Sequence, residues 1–148
     1  MKTKTLLFCA VILTAISITG CLKTTAPTPV VIPEGNFTGT FTRYHYSTVS
    51  GKIDTLTANI TLTMSAASGF AVGGDTSHHA ASHGGYIVDG TNIAFSDATL
   101  PSSSGNNVPP PTKTHLNGVY QYSYTAGSAL QMQSVGDTLI YQYNMKAQ

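Results

Sequence analysis

From Thr55 to Ser65 the chain alternates without a break. Leu56, Ala58, Ile60, Leu62 and Met64 take the even positions, while Thr55, Thr57, Asn59, Thr61, Thr63 and Ser65 take the odd ones. Successive side chains of a strand point to opposite faces, so this period of two lays five apolar residues on one face and a hydroxyl-rich row on the other. A helix would scatter the same residues around its circumference. The stretch is therefore a strand buried on one face only, and it needs several partners, because an isolated two-stranded hairpin is marginal in water.

The rest of the chain supplies them. Phe37, Gly39 and Phe41 alternate with Thr38, Thr40 and Thr42, and the pattern runs on through Tyr44, His45 and Tyr46. Ser50-Gly51 marks the turn into the central strand, and Ser68-Gly69 marks the turn out of it into Phe70 to Val72. Tyr86 to Val88 and Asn92 to Ser96 are joined by Asp89-Gly90, a dipeptide suited to the type I′ turn of a tight hairpin. In the last third, Tyr120, Tyr122 and Tyr124 share one face of Val119 to Thr125. Ala129 to Val135 follows, and Leu139, Tyr141, Tyr143 and Met145 form the apolar face of a final strand. Residues 73–85 and 100–115 read as two long loops, the first dense in Gly, His and Ala and the second in Ser, Asn and Pro. Seven or eight antiparallel strands joined mostly by small turns predict an all-β, up-and-down barrel, with a two-sheet β-sandwich as the alternative. Closure would remove the edges that threonine-rich strands otherwise expose.

Upstream of the strands, Lys2 and Lys4 precede an uncharged apolar run from Leu6 to Ile18, which is signal-peptide length and too short to span a bilayer as a helix. The run ends in Ile18-Thr19-Gly20-Cys21, a branched apolar residue, two small residues and a cysteine. This stretch resembles the lipobox of bacterial lipoproteins. The resemblance implies removal of residues 1–20, attachment of diacylglycerol to Cys21 and acylation of the new amine. Two or three acyl chains hold a protein to a membrane durably, at about 0.8 kcal/mol per buried methylene. No aspartate follows Cys21 directly, and no acidic cluster follows it, which by the same resemblance implies the outer membrane, facing the periplasm rather than the cell surface.

Residues 21–34, with Pro27, Pro29 and Pro33, read as a Pro/Thr-rich tether, and residues 35–148 as one domain. The chain has two cysteines. With Cys9 in the leader and Cys21 acylated, the domain would have no thiol and no disulfide, so its own core must hold it. The mature domain resembles the small lipocalin-like barrels of Bacteroidota lipoproteins. The resemblance is carried by Gly35-Asn36-Phe37, where lipocalins have Gly-x-Trp, by the meander spacing, and by Leu116-Asn117-Gly118-Val119-Tyr120.

Only 9% of the residues are charged, and after Cys21 the balance is near neutral with no basic stripe, which points away from nucleic acid. Neither Gly-x-Ser-x-Gly nor a Cys and His pair is present, and the aspartates sit mostly beside turns, so a non-enzymatic protein without a cofactor is expected. Three features invite a site. Tyr120, Tyr122, Tyr124, Tyr141 and Tyr143 are placed to line a barrel interior and stack on a small apolar or glycan ligand; they serve equally well as core. His78, His79 and His83 in one glycine-bounded loop suit a metal by residue type, yet a solvated loop explains them too, and no metal is assigned. Asp54-Thr55-Leu56 and Asp137-Thr138-Leu139 resemble the Asp-Thr-aliphatic sites of O-glycosylation in exported Bacteroidota proteins, and Asp-Thr at a strand start is also an ordinary turn exit. Two functions follow as expectations: a lipid-anchored binding module for a small ligand, or an accessory subunit with a filled core that works through envelope protein contacts.

Overall fold

A computed structural model describes residues 29–101, 111–134 and 136–148. The leader, Cys21, the first part of the tether and residues 102–110 of the second long loop lie outside them. The described residues form eight strands and no helix: β1 Gly35–Tyr46, β2 Ile53–Ser65, β3 Gly69–Gly74, β4 His83–Val88, β5 Asn92–Asp97, β6 Gly118–Thr125, β7 Ala129–Ser134 and β8 Leu139–Ala147. Each strand pairs antiparallel with the next. β8 then returns to β1, from Phe37 opposite Ala147 to His45 opposite Leu139, so the sheet closes into an up-and-down barrel and not a sandwich.

The strict alternation of β2 is obeyed in three dimensions. Ala58, Ile60, Leu62 and Met64 are buried, while Thr57, Asn59, Thr61 and Thr63 are exposed. Two expectations need correction. His83, Gly84 and Gly85 belong to β4 and not to a loop, because ladder pairing uses backbone groups and asks nothing of side-chain polarity: Gly84 lies opposite both Phe70 and Asp97. The Asp89-Gly90 connection is not type I′, since only Gly90 takes a positive φ. Asp89 keeps ordinary backbone angles and instead uses its carboxylate to accept the Asn92 amide at 2.8 Å, an Asx-type closure of a longer turn.

The interior is lined by side chains from every strand, aliphatic residues packing around a chain of aromatic rings. Ring follows ring across it: Phe41 to Tyr143 at 5.1 Å, Tyr143 to Tyr120 at 5.6 Å, Tyr120 to Phe95 at 5.9 Å and Phe95 to Phe70 at 5.1 Å. Three of these four contacts are edge-to-face and the first is tilted, angles that aromatic quadrupoles favour, each contributing about 0.5–1.5 kcal/mol beyond area burial. Gly39 sits between Phe37 and Phe41 because β8 leans onto β1 there. A Cβ at this position would collide with the backbone carbonyl of Asn144.

The barrel has two distinct ends. The lower end carries residues 29–34, the C-terminal residue Gln148 and the short turns after β2, β4 and β6. The upper end carries the β1–β2 hairpin, the β7–β8 connection, the β3–β4 loop and the described ends of the β5–β6 loop.

Candidate functional sites at the two ends of the barrel

At the upper end the β3–β4 loop turns inward. Asp75 starts it by accepting both the amide and the hydroxyl of Ser77, at 2.9 and 2.6 Å, and these bonds hold its carboxyl below the ordinary value. The loop then runs alongside the end of the β5–β6 loop, with the Ala80 amide donating to Thr114 at 2.8 Å and the Thr114 amide donating to His78 at 3.1 Å. Between these bonds the His79 side chain drops into the barrel, where it is wholly buried and meets the Phe41 ring edge-on at 4.8 Å.

Both nitrogens of His79 are satisfied. Nδ1 lies 2.8 Å from the Ala80 carbonyl and Nε2 lies 2.9 Å from the Tyr143 hydroxyl. A carbonyl only accepts, so the network assigns the hydrogen to Nδ1 and leaves Nε2 to accept from Tyr143. Burial pushes the His79 pKa below its ordinary 6.5, and burial likewise pushes the Tyr143 phenol well up. The imidazole is thus a neutral plug.

Beside it, Asp97 points inward in phase with Ile93 and Phe95. Burial alone would raise its carboxyl, but three donors outweigh that and hold it low. The Thr99 hydroxyl donates at 2.6 Å, the Thr99 amide at 2.7 Å, and His115 Nδ1 stands 2.8 Å from the second carboxylate oxygen. The Asn117 side chain accepts the Asp97 amide at 3.1 Å. With three of the carboxylate's roughly four acceptor sites occupied, this cluster holds the ends of the β5–β6 loop together. Among the described residues two buried side-chain polar atoms have no hydrogen-bond partner, Ser82 Oγ and Arg43 Nε, although the Arg43 guanidinium reaches Asp54 at 3.3 Å on the upper rim.

The lower end is crossed by the last residues of the tether. Pro33 is buried, its carbonyl accepts the Tyr86 hydroxyl at 2.8 Å, and the Glu34 carboxylate accepts the Ala66 amide at 2.6 Å. Burial, followed by the nearby Glu34 charge, pushes the Tyr86 phenol up to about 12. Residues 29–34, which sequence alone assigns to the tether, therefore act as a strap fixed to the barrel. Between the strap residues Val30 and Val31 and the strand segment Tyr122–Tyr124 lies an open depression of about 340 Å³.

The five tyrosines all face inward, as the period of two requires, but the structure distributes them along the barrel axis. Tyr120 and Tyr143 are central and buried, with burial pushing Tyr120 up to about 12. Tyr141 packs on Phe41 toward the upper end at 6.1 Å, Tyr124 meets Phe37 toward the lower end at 6.2 Å, and Tyr122 lines the lower depression. The three loop histidines separate as well: His79 is inside, while His78 and His83 are exposed. Among the described residues no group of three His, Cys, Asp or Glu side chains is placed to share a metal. Sequence reasoning missed Asp97, His115, Tyr86 and the strap. Of these only Asp97 had a signal, as a carboxylate in phase with two apolar strand residues.

Comparison with protein-family models, with curated proteins and with solved structures finds no match to this chain.

Proposed function

We propose that this chain is a lipid-anchored envelope protein, held at the bacterial outer membrane through Cys21 and facing the periplasm, that works through its outer surface as a structural or accessory subunit. One observation supports the working surface being outside: the interior is occupied by sixteen buried hydrophobic side chains with His79 as a plug. An eight-stranded barrel either fills with side chains or holds one small ligand, and these side chains favour the former. Native mass spectrometry of the protein purified from its own envelope tests this. The expected mass is the acylated chain alone; a stoichiometric small-molecule adduct would reverse the reading.

A second reading, a binding module for a small apolar or glycan ligand, has one specific observation in its favour. The depression under the strap falls within the size range of small-ligand pockets and presents Tyr122 and Tyr124. If it holds such a ligand, Tyr122→Ala should weaken binding about ten-fold, which corresponds to 1.4 kcal/mol, in titration calorimetry against glycan and fatty-acid panels.

A further inference from the structure

We infer that the flank of the barrel formed by β4, β5 and β6 beside the strap is a bilayer-contacting surface, which seats the domain on a neutral or zwitterionic lipid surface with its upper loops pointing away. The inference rests on the Cys21 anchor proposed above. On the outer face of these strands Ile87, Ala94 and Val119 lie side by side in one cross-strand row, through the pairings Ile87 with Ala94 and Ala94 with Val119. Ile87 is 75% exposed and Val119 60%, and they flank a shallow depression of about 100 Å³. The row lies next to the β4–β5 turn, where a Cβ on Gly90 would stand 3.5 Å from Val30 of the strap. Val30, Val31 and Ile32 are themselves exposed, so the aliphatic surface continues from the sheet onto the strap.

The chain's own connectivity selects the occupant. From Cys21 to Pro29 there are eight peptide steps, at most about 29 Å when fully extended. The thirteen residues of β2 span about 40 Å along the strand, so the leash is shorter than the barrel's longest strand and holds the lower end, not the loops, at the membrane. A patch on the order of a few hundred Å² is too small for a stable dimer, which buries about 1,200–2,000 Å². A tethered surface needs far less, because the anchor already supplies an effective concentration of about millimolar. Asp89 is the one charge among the residues lining the depression, which disfavours an anionic lipid surface.

The rival apolar group is at the opposite end, where Tyr46, Val49 and Ile53 are exposed on the β1–β2 hairpin, and it serves as the control. The full acylated protein carrying a single introduced cysteine, Ile87→Cys, Val119→Cys or Val49→Cys, is labelled with an environment-sensitive fluorophore. It is then reconstituted into phosphatidylcholine/phosphatidylethanolamine vesicles containing shallow-nitroxide lipid. Labels at 87 and 119 should be quenched by about half, as for side chains entering ~5–10 Å into the headgroup boundary, and the label at 49 should not. Adding Ala94→Asp should abolish quenching at 87 while the protein still sediments with vesicles. Sedimenting protein with unquenched labels at 87 and 119, with quenching at 49 instead, or with protection of 87 and 119 only in native envelopes, the mark of a protein partner, overturns the inference and leaves the anchor standing. Failure of the wild-type protein to sediment overturns both.

Discussion

The Nε2 atom of His79 and the hydroxyl of Tyr143 stand 2.9 Å apart inside the barrel, joining a loop to the last strand across 64 positions of sequence. The bond binds the upper loops to the core, because the same loop is zipped to Thr114 on the other long loop. Removing His79 should therefore cost more than one hydrogen bond. His79→Ala leaves both a void and an orphaned phenol, and about 2–4 kcal/mol of stability should be lost in urea unfolding. In the double variant with Tyr143→Phe, about 1 kcal/mol less should be lost than the sum of the two single changes.

The buried imidazole sets the acid response. His79 is held neutral in the fold, whereas in the unfolded chain it titrates near 6.5, so below that pH the unfolded state binds the extra proton. Stability should be fully present above about pH 6.5 and fall as pH drops below it. A second loss should follow below about 3.8, where the unfolded Asp97 protonates before the folded one. Thermal melts across this range check both steps, and His79→Leu should flatten the first while leaving the second.

Alkaline behaviour has the opposite sign. Tyr86 and Tyr120 are pushed up to about 12 from an ordinary 10.0, so the fold keeps protons that the unfolded chain releases. Stability should be intact below pH 10 and decline from there toward 12. Tyrosinate absorbance should rise in two stages, with the late stage reduced in Tyr120→Phe.

Asp97 anchors the β5–β6 loop through Thr99 and His115. Asp97→Asn keeps the shape but places an amide donor against at least one existing donor, and about 1–3 kcal/mol should be lost. Hydrogen exchange of the Thr99 amide should accelerate more than that of β1 amides. A uniform acceleration would show that the carboxylate serves the whole barrel and not the loop.

At Gly39 the expected failure is steric. Gly39→Ala pushes a methyl group into the Asn144 carbonyl, backbone against backbone on the seam that closes the barrel. About 3 kcal/mol should be lost in denaturant unfolding.

The proposed lipid anchor predicts that Cys21→Ser releases the domain from membranes and abolishes palmitate incorporation. Continued labelling of that variant would refute the anchor.

The sequence by itself determined the strand set and its inward faces. Alternation in Thr55 to Ser65 and the tyrosine positions of β6 and β8 follow from the period of two, which is local, and β2 and β6 bury the faces that this period assigns. Glycine-rich ladder segments such as His83 to Gly85 carry no such signal, since backbone pairing is blind to side-chain type. Only the tertiary structure decided which polar residues work together. His79 and Tyr143, or Asp97 and His115, meet because strand tilt and closure bring distant loops over one mouth, and nothing in the neighbourhood of either residue encodes the other. The same holds for the strap: Pro33 and Glu34 look like linker in one dimension, and in three Pro33 is buried with its carbonyl held by Tyr86 while Glu34 is held by the Ala66 amide just after β2.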